Sequence, residues 1–274
     1  MTEWKFSRSP GEATNTIRID ENISIGNPDE TVLIAGPCSI ESSDQIEEVA
    51  KCLVDNGVKV LRAGCYKPRT NPYSFRGLEE DGLKMLAEVR EKYGLKIITE
   101  VKDSTQVQTV LKYTDIVQIG AKAMWDYGIL AQLSKTQTPT LVKRAFGATT
   151  QEAAQITEYI LSGGNDNVMI CERGIRTFEP NTRFTLDLCG AEWIKKHTNL
   201  PLVLDPSHAM GFRYGVPNLA LACVASGTDA LMVEVHPDPS IAKSDASQQL
   251  DLKQFSLLVE RIHKVASAID KKII

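Results

Sequence analysis

Eight short runs rich in Val, Ile and Leu recur along the chain, each followed by a stretch with helical spacing. They are TVLIAGPC (31–38), VKVLRAG (58–64), KIITEV (96–101), DIVQIGA (115–121), TLVKRAF (140–146), NVMICERG (167–174), PLVLDPSH (201–208) and ALMVEVH (230–236). Continuous apolar strands alternating with amphipathic helices call for a parallel sheet covered on its outer face. Between the first two runs, SDQIEEVAKCLVDNG carries Ile46, Val49, Ala50, Leu53 and Val54 on one helical face and stops at Gly57. Thr149 and Glu152 have the spacing of a capping box for the helix after the fifth run. Eight such units predict an α/β fold, a TIM (β/α)8 barrel over residues 31–274, with a doubly wound sheet as the alternative. Residues 1–30 read as a short N-terminal extension whose TIRIDENISIG segment suits a hairpin closing the barrel bottom.

Charge narrows the function classes. A net charge of -4 argues against general affinity for nucleic acid or membrane surfaces. No apolar run approaches the roughly 20 residues of a membrane helix. The opening MTEWKFSRSPGEATNT lacks the apolar centre of a signal peptide, so a cytoplasmic protein is expected. The six cysteines have no framework spacing and suit reduced thiols.

Each run starts apolar and turns polar at its C-terminal end, and in a barrel those ends converge on the face that carries chemistry. Two sets of residues meet there. The first is cationic: Arg62, Lys67, Lys122, Lys143 and Arg173, with Arg144 and Arg176 as further candidates and Arg69 along the second loop. Such a cluster predicts a ligand bearing phosphate and carboxylate groups, because an empty desolvated ring of cations repels itself. The second set is Cys38, His208 and Glu234, with Asp245 or His236 as a fourth donor, a combination that suits a divalent transition metal. A Lewis acid beside a polyanion pocket implies chemistry on a phosphorylated substrate, with lyase, phosphatase, isomerase and aldol-type transferase all open.

The same segments carry a family resemblance. IAGPCSIES (34–42), KPRTNPYSFRG (67–77), QIGA (118–121), VKR (142–144), CERGIRTFE (171–179), DPSHAMG (205–211), EVHPDP (234–239) and KSDASQQL (243–250) occur in order, one per barrel unit. Together they resemble the 3-deoxy-D-arabino-heptulosonate 7-phosphate (DAHP) synthases, in the short microbial branch related to the 3-deoxy-octulosonate 8-phosphate synthases. The resemblance implies condensation of phosphoenolpyruvate with D-erythrose 4-phosphate and release of phosphate, the first step of the shikimate route to aromatic amino acids. A paralogue using another aldehyde is the alternative.

By the resemblance, Cys38, His208, Glu234 and Asp245 match metal ligands, with Mn2+ ranked ahead of Fe2+, Co2+ or Zn2+. Arg62, Lys67, Lys143 and Arg173 match groups that hold phosphoenolpyruvate, and Lys122 is counted with the substrate-binding residues. Arg69 and Thr70 match the pair that receives the second phosphate, and Asp205 and Ser207 fall among the substrate contacts. Lys67, Glu100, Asp205 and His208 are the catalytic candidates, with Glu100, Lys67 or His208 serving proton transfer. The family commonly has Arg where this chain has Lys122, and Lys lacks the forked bidentate contact to phosphate. RAGCYKPRT and KRAFG also depart from the usual RGGAFKPRT and KRG. The family implies an oligomer of identical chains, usually a tetramer. Two further expectations are insensitivity to Phe, Tyr and Trp, because thirty residues are too few for a regulatory domain, and a Cys38–Cys65 disulfide under oxidation.

Overall fold

The computed structural model describes residues 4–9, 11–67, 71 and 73–274. It begins with an antiparallel hairpin, β1 (Ile17–Arg18) and β2 (Ser24–Ile25), in which Ile17 lies opposite Ile25. Eight parallel strands follow: β3 (Glu30–Gly36), β4 (Val60–Arg62), β5 (Lys96–Val101), β6 (Ile116–Ile119), β7 (Thr140–Lys143), β8 (Val168–Glu172), β9 (Leu202–Leu204) and β10 (Ala230–Glu234). β10 pairs with β3 from Ala230↔Val32 to Glu234↔Gly36, so the sheet closes on itself as a TIM barrel. Each of the eight apolar runs supplies one barrel strand. A final short strand, β11 (Lys272–Ile273), pairs with the start of β3.

Helices cover the outside: α1 (Ser43–Asp55), α2 (Glu79–Tyr93), α3 (Val107–Val110), α4 (Tyr127–Leu133), α5 (Thr150–Ser162), α6 (Leu188–His197), α7 (Pro206–Met210), α8 (Val216–Ala225) and α9 (Leu252–Ala268). The Thr149/Glu152 capping box forms at the start of α5, where each residue accepts the other's backbone N–H. Among the described residues, no helix is long and apolar enough to cross a membrane.

Strand alternation sorts the side chains into two cores. Val32, Ile34, Val60, Ile98, Ile116, Leu141, Met169, Val203 and Met232 face inward, and Ile17, Ile23 and Ile25 of the hairpin pack with them at the barrel bottom. The alternate residues, among them Leu33, Leu61, Ile97, Val142, Ile170 and Leu231, pack outward with the helices. Burying one such side chain contributes about 1.5–3 kcal/mol relative to leaving it in water. The C-terminal rim is therefore held by two layers of packing and can carry groups that contribute nothing to stability themselves.

Candidate functional site

The alternation that fills the barrel also builds its rim. Two residues past the last inward apolar side chain, the next inward position is polar on seven strands. These are Arg62 after Val60, Glu100 after Ile98, Gln118 after Ile116, Lys143 after Leu141, Arg173 after Cys171, Asp205 after Val203 and Glu234 after Met232. On β3 the inward position past Ile34 is Gly36, and Cys38 follows it. Gly36 has φ +149°, and a Cβ there would fall 2.1 Å from the Arg62 carbonyl oxygen, so only glycine lets the two strands approach this closely.

Lys143 and Arg144 show what parity decides. Lys143 faces inward and pairs with Asp205. Arg144 faces outward, where its Nη1 lies 2.9 Å from the buried Glu172 and 2.8 Å from the partly exposed Asp187. The sequence reading that counted Arg144 among the pocket cations is corrected: it is a structural ion pair in the helix layer. Arg176 is exposed and stacks on Phe146, 4.8 Å from ring to guanidinium, so it too lies outside the pocket.

The cations brought together are Lys67, Lys122, Lys143, Arg173 and Arg183, which with the carboxylates Glu100 and Asp245 line a cavity of about 120 Å3. Arg62 lies deeper, only 2% exposed, with Nη1 donating to Glu234 Oε1 at 2.8 Å and Nη2 3.7 Å from Glu100. Lys67 Nζ donates to the Cys38 carbonyl and lies 3.1 Å from the Cys38 sulfur. The expected self-repulsion of an empty cationic ring is thereby corrected, because acids interleave with the bases at the rim. Arg173 is the exception. It is 5% exposed, its Nη1 has no partner among the described residues, and it rests 4.5 Å from the Phe184 ring. Burial pushes its guanidinium below the ordinary arginine range, with Asp205 only partly offsetting this. A buried guanidinium donor left open beside three lysines and a second arginine is able to receive an anion.

Asp-Pro-Ser-His is a local folding unit. Asp205 caps α7 by accepting the His208 backbone N–H at 3.0 Å, and Pro206 opens the helix where no N–H is needed. That single turn brings His208 Nδ1 to 2.7 Å from Asp205 Oδ2. Burial alone would raise the Asp205 carboxyl, but His208 and Lys143 beside it override this and hold it well below the usual carboxylate range. Burial depresses His208 below the ordinary imidazole range, with the Asp205 and Glu234 carboxylates opposing it. Ser207 turns beneath the site instead of into it: its hydroxyl accepts the backbone N–H of Glu234 at 3.0 Å.

His208 Nε2 lies 3.3 Å from Glu234 and 3.7 Å from Asp245. Ligand atoms of Cys38, Glu234 and Asp245 all lie within 4.8 Å of one another. A thiol and two carboxylates drawn together, with an imidazole beside both carboxylates, are a donor set that fits a divalent transition metal. Of the two fourth donors considered from sequence, Asp245 is the one present. His236 is turned away, with Nδ1 accepting from Asp238 and Nε2 3.8 Å from Glu41. Burial, with Glu234 adding to it, pushes the Cys38 thiol up to about 12, so in the free chain it carries its proton and donates toward Asp245.

Arg69 and Thr70 lie outside the described residues. Cys65 faces the helix layer: its Sγ contacts Thr99 and sits 3.3 Å from where a Cβ on Gly82 would be. Cys65 belongs to the outer core and Cys38 to the site, and both are free thiols. Arg183, Gln248 and Gln249 were missed by sequence reasoning although all three touch the site; they lie on loops, where no strand alternation reports which way a side chain faces. A second cavity, about 430 Å3, sits on the outer surface between Trp4, Trp125, Tyr127 and α5, and is lined by no Lys or Arg.

Comparison with known proteins adds an independent observation. The model of the DAHP synthetase I family matches residues 14–271. A phospho-2-dehydro-3-deoxyheptonate aldolase of Thermotoga maritima is 44% identical over 252 residues, covering 92% of this chain and 74% of that protein. A 2-dehydro-3-deoxyphosphooctonate aldolase of Fusobacterium nucleatum is 34% identical over 268 residues, covering 91% and 94%. The crystal structure of a Thermotoga maritima phospho-2-dehydro-3-deoxyheptonate aldolase (DAHP synthase) superposes with a TM-score of 0.95 at 41% identity, over 100% of this chain and 80% of that one. A truncated 3-deoxy-D-arabino-heptulosonate 7-phosphate synthase from the same organism gives 0.91 at 39% identity, with 98% of both chains covered.

Proposed function

Because the chain belongs to the DAHP synthetase I family, we propose that its barrel mouth joins phosphoenolpyruvate to D-erythrose 4-phosphate and water, giving 3-deoxy-D-arabino-heptulosonate 7-phosphate and phosphate. This is the reaction that opens the shikimate route. The observation that carries the reading is the unpartnered, buried Nη1 of Arg173 in a cavity where five cations face two carboxylates.

In this reading Arg173, Lys143, Lys122, Lys67 and Arg62 hold the carboxylate and phosphate of phosphoenolpyruvate, and Arg69 with Thr70 receives the phosphate of the aldehyde. Cys38, His208, Glu234 and Asp245 would hold a divalent metal, with Mn2+ ranked ahead of Fe2+, Co2+ and Zn2+. When bound, the ion supplies Lewis acidity for the aldehyde oxygen. The enol carbon of phosphoenolpyruvate bonds to the aldehyde carbon, water adds at the phosphate-bearing carbon, and that carbon's bond to the phosphate oxygen breaks. Glu100, kept in place by the Gln118 amide at 2.7 Å, is an acceptor for a proton of that water. Lys67 and His208 are the alternative proton carriers, and Asp205 orients the His208 ring and Lys143.

We propose a cytoplasmic location, which suits six cysteines that are all free. We also propose assembly with copies of the same chain, supported by the half-exposed Trp4, Trp125, Tyr127 and Tyr159 around the outer groove. Light scattering showing a monomer would end that second proposal.

The test of the function is phosphate release from phosphoenolpyruvate, assayed with metal-stripped protein, individual metals added back, and a panel of aldehydes of different length with and without phosphate. Activity that requires a metal and peaks with erythrose 4-phosphate is the expected result. A peak with a five-carbon sugar phosphate would replace the substrate assignment, and full activity in the stripped protein would remove the metal.

A further inference from the structure

Three of the four proposed metal ligands are anchored by the barrel itself. Cys38 follows β3, His208 sits on α7 directly behind β9, and Glu234 ends β10. Asp245 has no such support. It lies in the irregular segment between β10 and α9, with φ +49°, a left-handed backbone that a residue with a Cβ adopts at a cost. Something else must hold it against the other three.

Two adjacent glutamines do so, and both are fully buried despite being polar. Gln249 Oε1 accepts the backbone N–H of Cys38 at 3.0 Å, while its Nε2 donates to the carbonyl of Ser244 at 2.8 Å. One amide thus ties the Cys38 backbone to the residue preceding Asp245. Gln248 Nε2 donates to Glu234 Oε2 at 2.6 Å and reaches 3.5 Å from Asp245 Oδ2. Its Oε1 accepts from Arg183 Nη1 at 2.7 Å, and Arg183 Nη1 also lies 3.2 Å from Asp245 Oδ1. Because arginine only donates, Arg183 settles which end of the Gln248 amide faces it. The donor end is therefore directed at two carboxylates that would otherwise repel each other.

We propose that Gln248 and Gln249 are positioning residues that hold Cys38, Glu234 and Asp245 at metal-binding separation, and that Arg183 locks the orientation of Gln248. This rests on the reading of those residues as metal ligands. Without Arg183 the Gln248 amide is free to turn its oxygen toward Glu234, and the pair of carboxylates loses its shared donor. Without Gln249 the Asp245 segment loses its tie to the Cys38 backbone.

The experiment is a Co2+ titration of the metal-stripped full chain, followed by visible absorption, including the charge-transfer band of a cobalt-bound thiolate. Parent, Gln248→Met, Gln249→Met and Arg183→Met are compared, with the melting temperature of each metal-free chain as a folding control. Weakening of Co2+ affinity by about 10- to 100-fold in the glutamine variants is expected, the range usual for groups that orient metal ligands. In Gln249→Met the thiolate band weakens; in Gln248→Met and Arg183→Met it is retained while the visible bands shift. Gln248→Glu keeps the Arg183 contact but sets a third carboxylate against Glu234, so it binds Co2+ more weakly than Gln248→Met. If the glutamine variants fail to fold, Arg183→Met at the rim still reports the coupling through the same bands. Parent binding with unchanged affinity and spectra in all variants overturns this inference alone. A parent that takes up no Co2+ overturns the metal reading and the inference with it.

Discussion

A Cβ on Gly120 would fall 2.3 Å from Glu100 Oε1. The glycine of Gln-Ile-Gly-Ala is therefore the space in which an inward carboxylate of β5 sits, and Gln118, two residues earlier on β6, supplies the amide that holds it. Gly120→Ala should displace Glu100 while leaving the cations of the cavity in place. A fall in kcat of about 100-fold is expected, the scale of a 1 Å misplacement, with phosphoenolpyruvate affinity within about threefold of the parent. Kinetics of phosphate release together with a binding titration check this; unchanged kcat would show that Glu100 is not in the reaction.

Lys143 and Arg144 should respond differently to the same change. Arg144→Met leaves Glu172 buried without its arginine, which costs about 3–5 kcal/mol in chemical denaturation, while activity per folded molecule is kept. Lys143→Met also leaves a buried carboxylate, Asp205, without its lysine and so costs stability as well, but it should in addition abolish measurable phosphate release. Denaturant midpoints and specific activities of the two variants decide it; similar profiles for both would refute the assignment by strand parity.

Arg173→Lys keeps the charge and loses the fork. Because Nη1 has no partner in the free chain, the substitution should barely change stability and should raise the KM for phosphoenolpyruvate by about 10- to 100-fold. Steady-state kinetics at saturating aldehyde measure it. A KM that stays at the parent value would mean that the open nitrogen does not meet the substrate.

Asp229 offers a pH test away from the site. Burial raises its carboxyl, opposed by the Leu202 N–H and then by Lys271, Lys195 and Arg8. A raised carboxyl favours the folded state most strongly below its unfolded value of about 3.8, and that contribution is lost as pH rises through the folded value. Asp229→Asn keeps an acceptor for the Leu202 N–H and removes the titration. The melting temperature of the variant minus that of the parent should therefore increase from about pH 4 to about pH 7. A difference that is flat or falling over that range would contradict it.

Much of the architecture is legible from sequence for a physical reason. Strands covered on both faces must be apolar throughout, so β3 to β10 announce themselves, and the polar residue that ends each one marks the rim. β11 is two residues long, too short to show a period, whereas the TIRIDENISIG segment does form the hairpin expected of it. Cys38, Arg62, Lys143, Arg173 and Glu234 are readable because they continue a strand's inward phase. Arg144 is misread when adjacency is used in place of that phase. Arg183, Gln248 and Gln249 follow no strand, and only the folded loops reveal that the first two meet Asp245 and the third ties Ser244 to Cys38.

The two cores also set what kinds of sequence change this chain can absorb. A loop can lengthen by several residues and leave every rim group where it was. One residue inserted within β7, however, would exchange Lys143 for its neighbour, sending the pocket cation into the helix layer and exposing an outer-face side chain to the substrate. Variation in what the enzyme accepts is therefore confined to the connections, and the strands tolerate substitution but not a change of length.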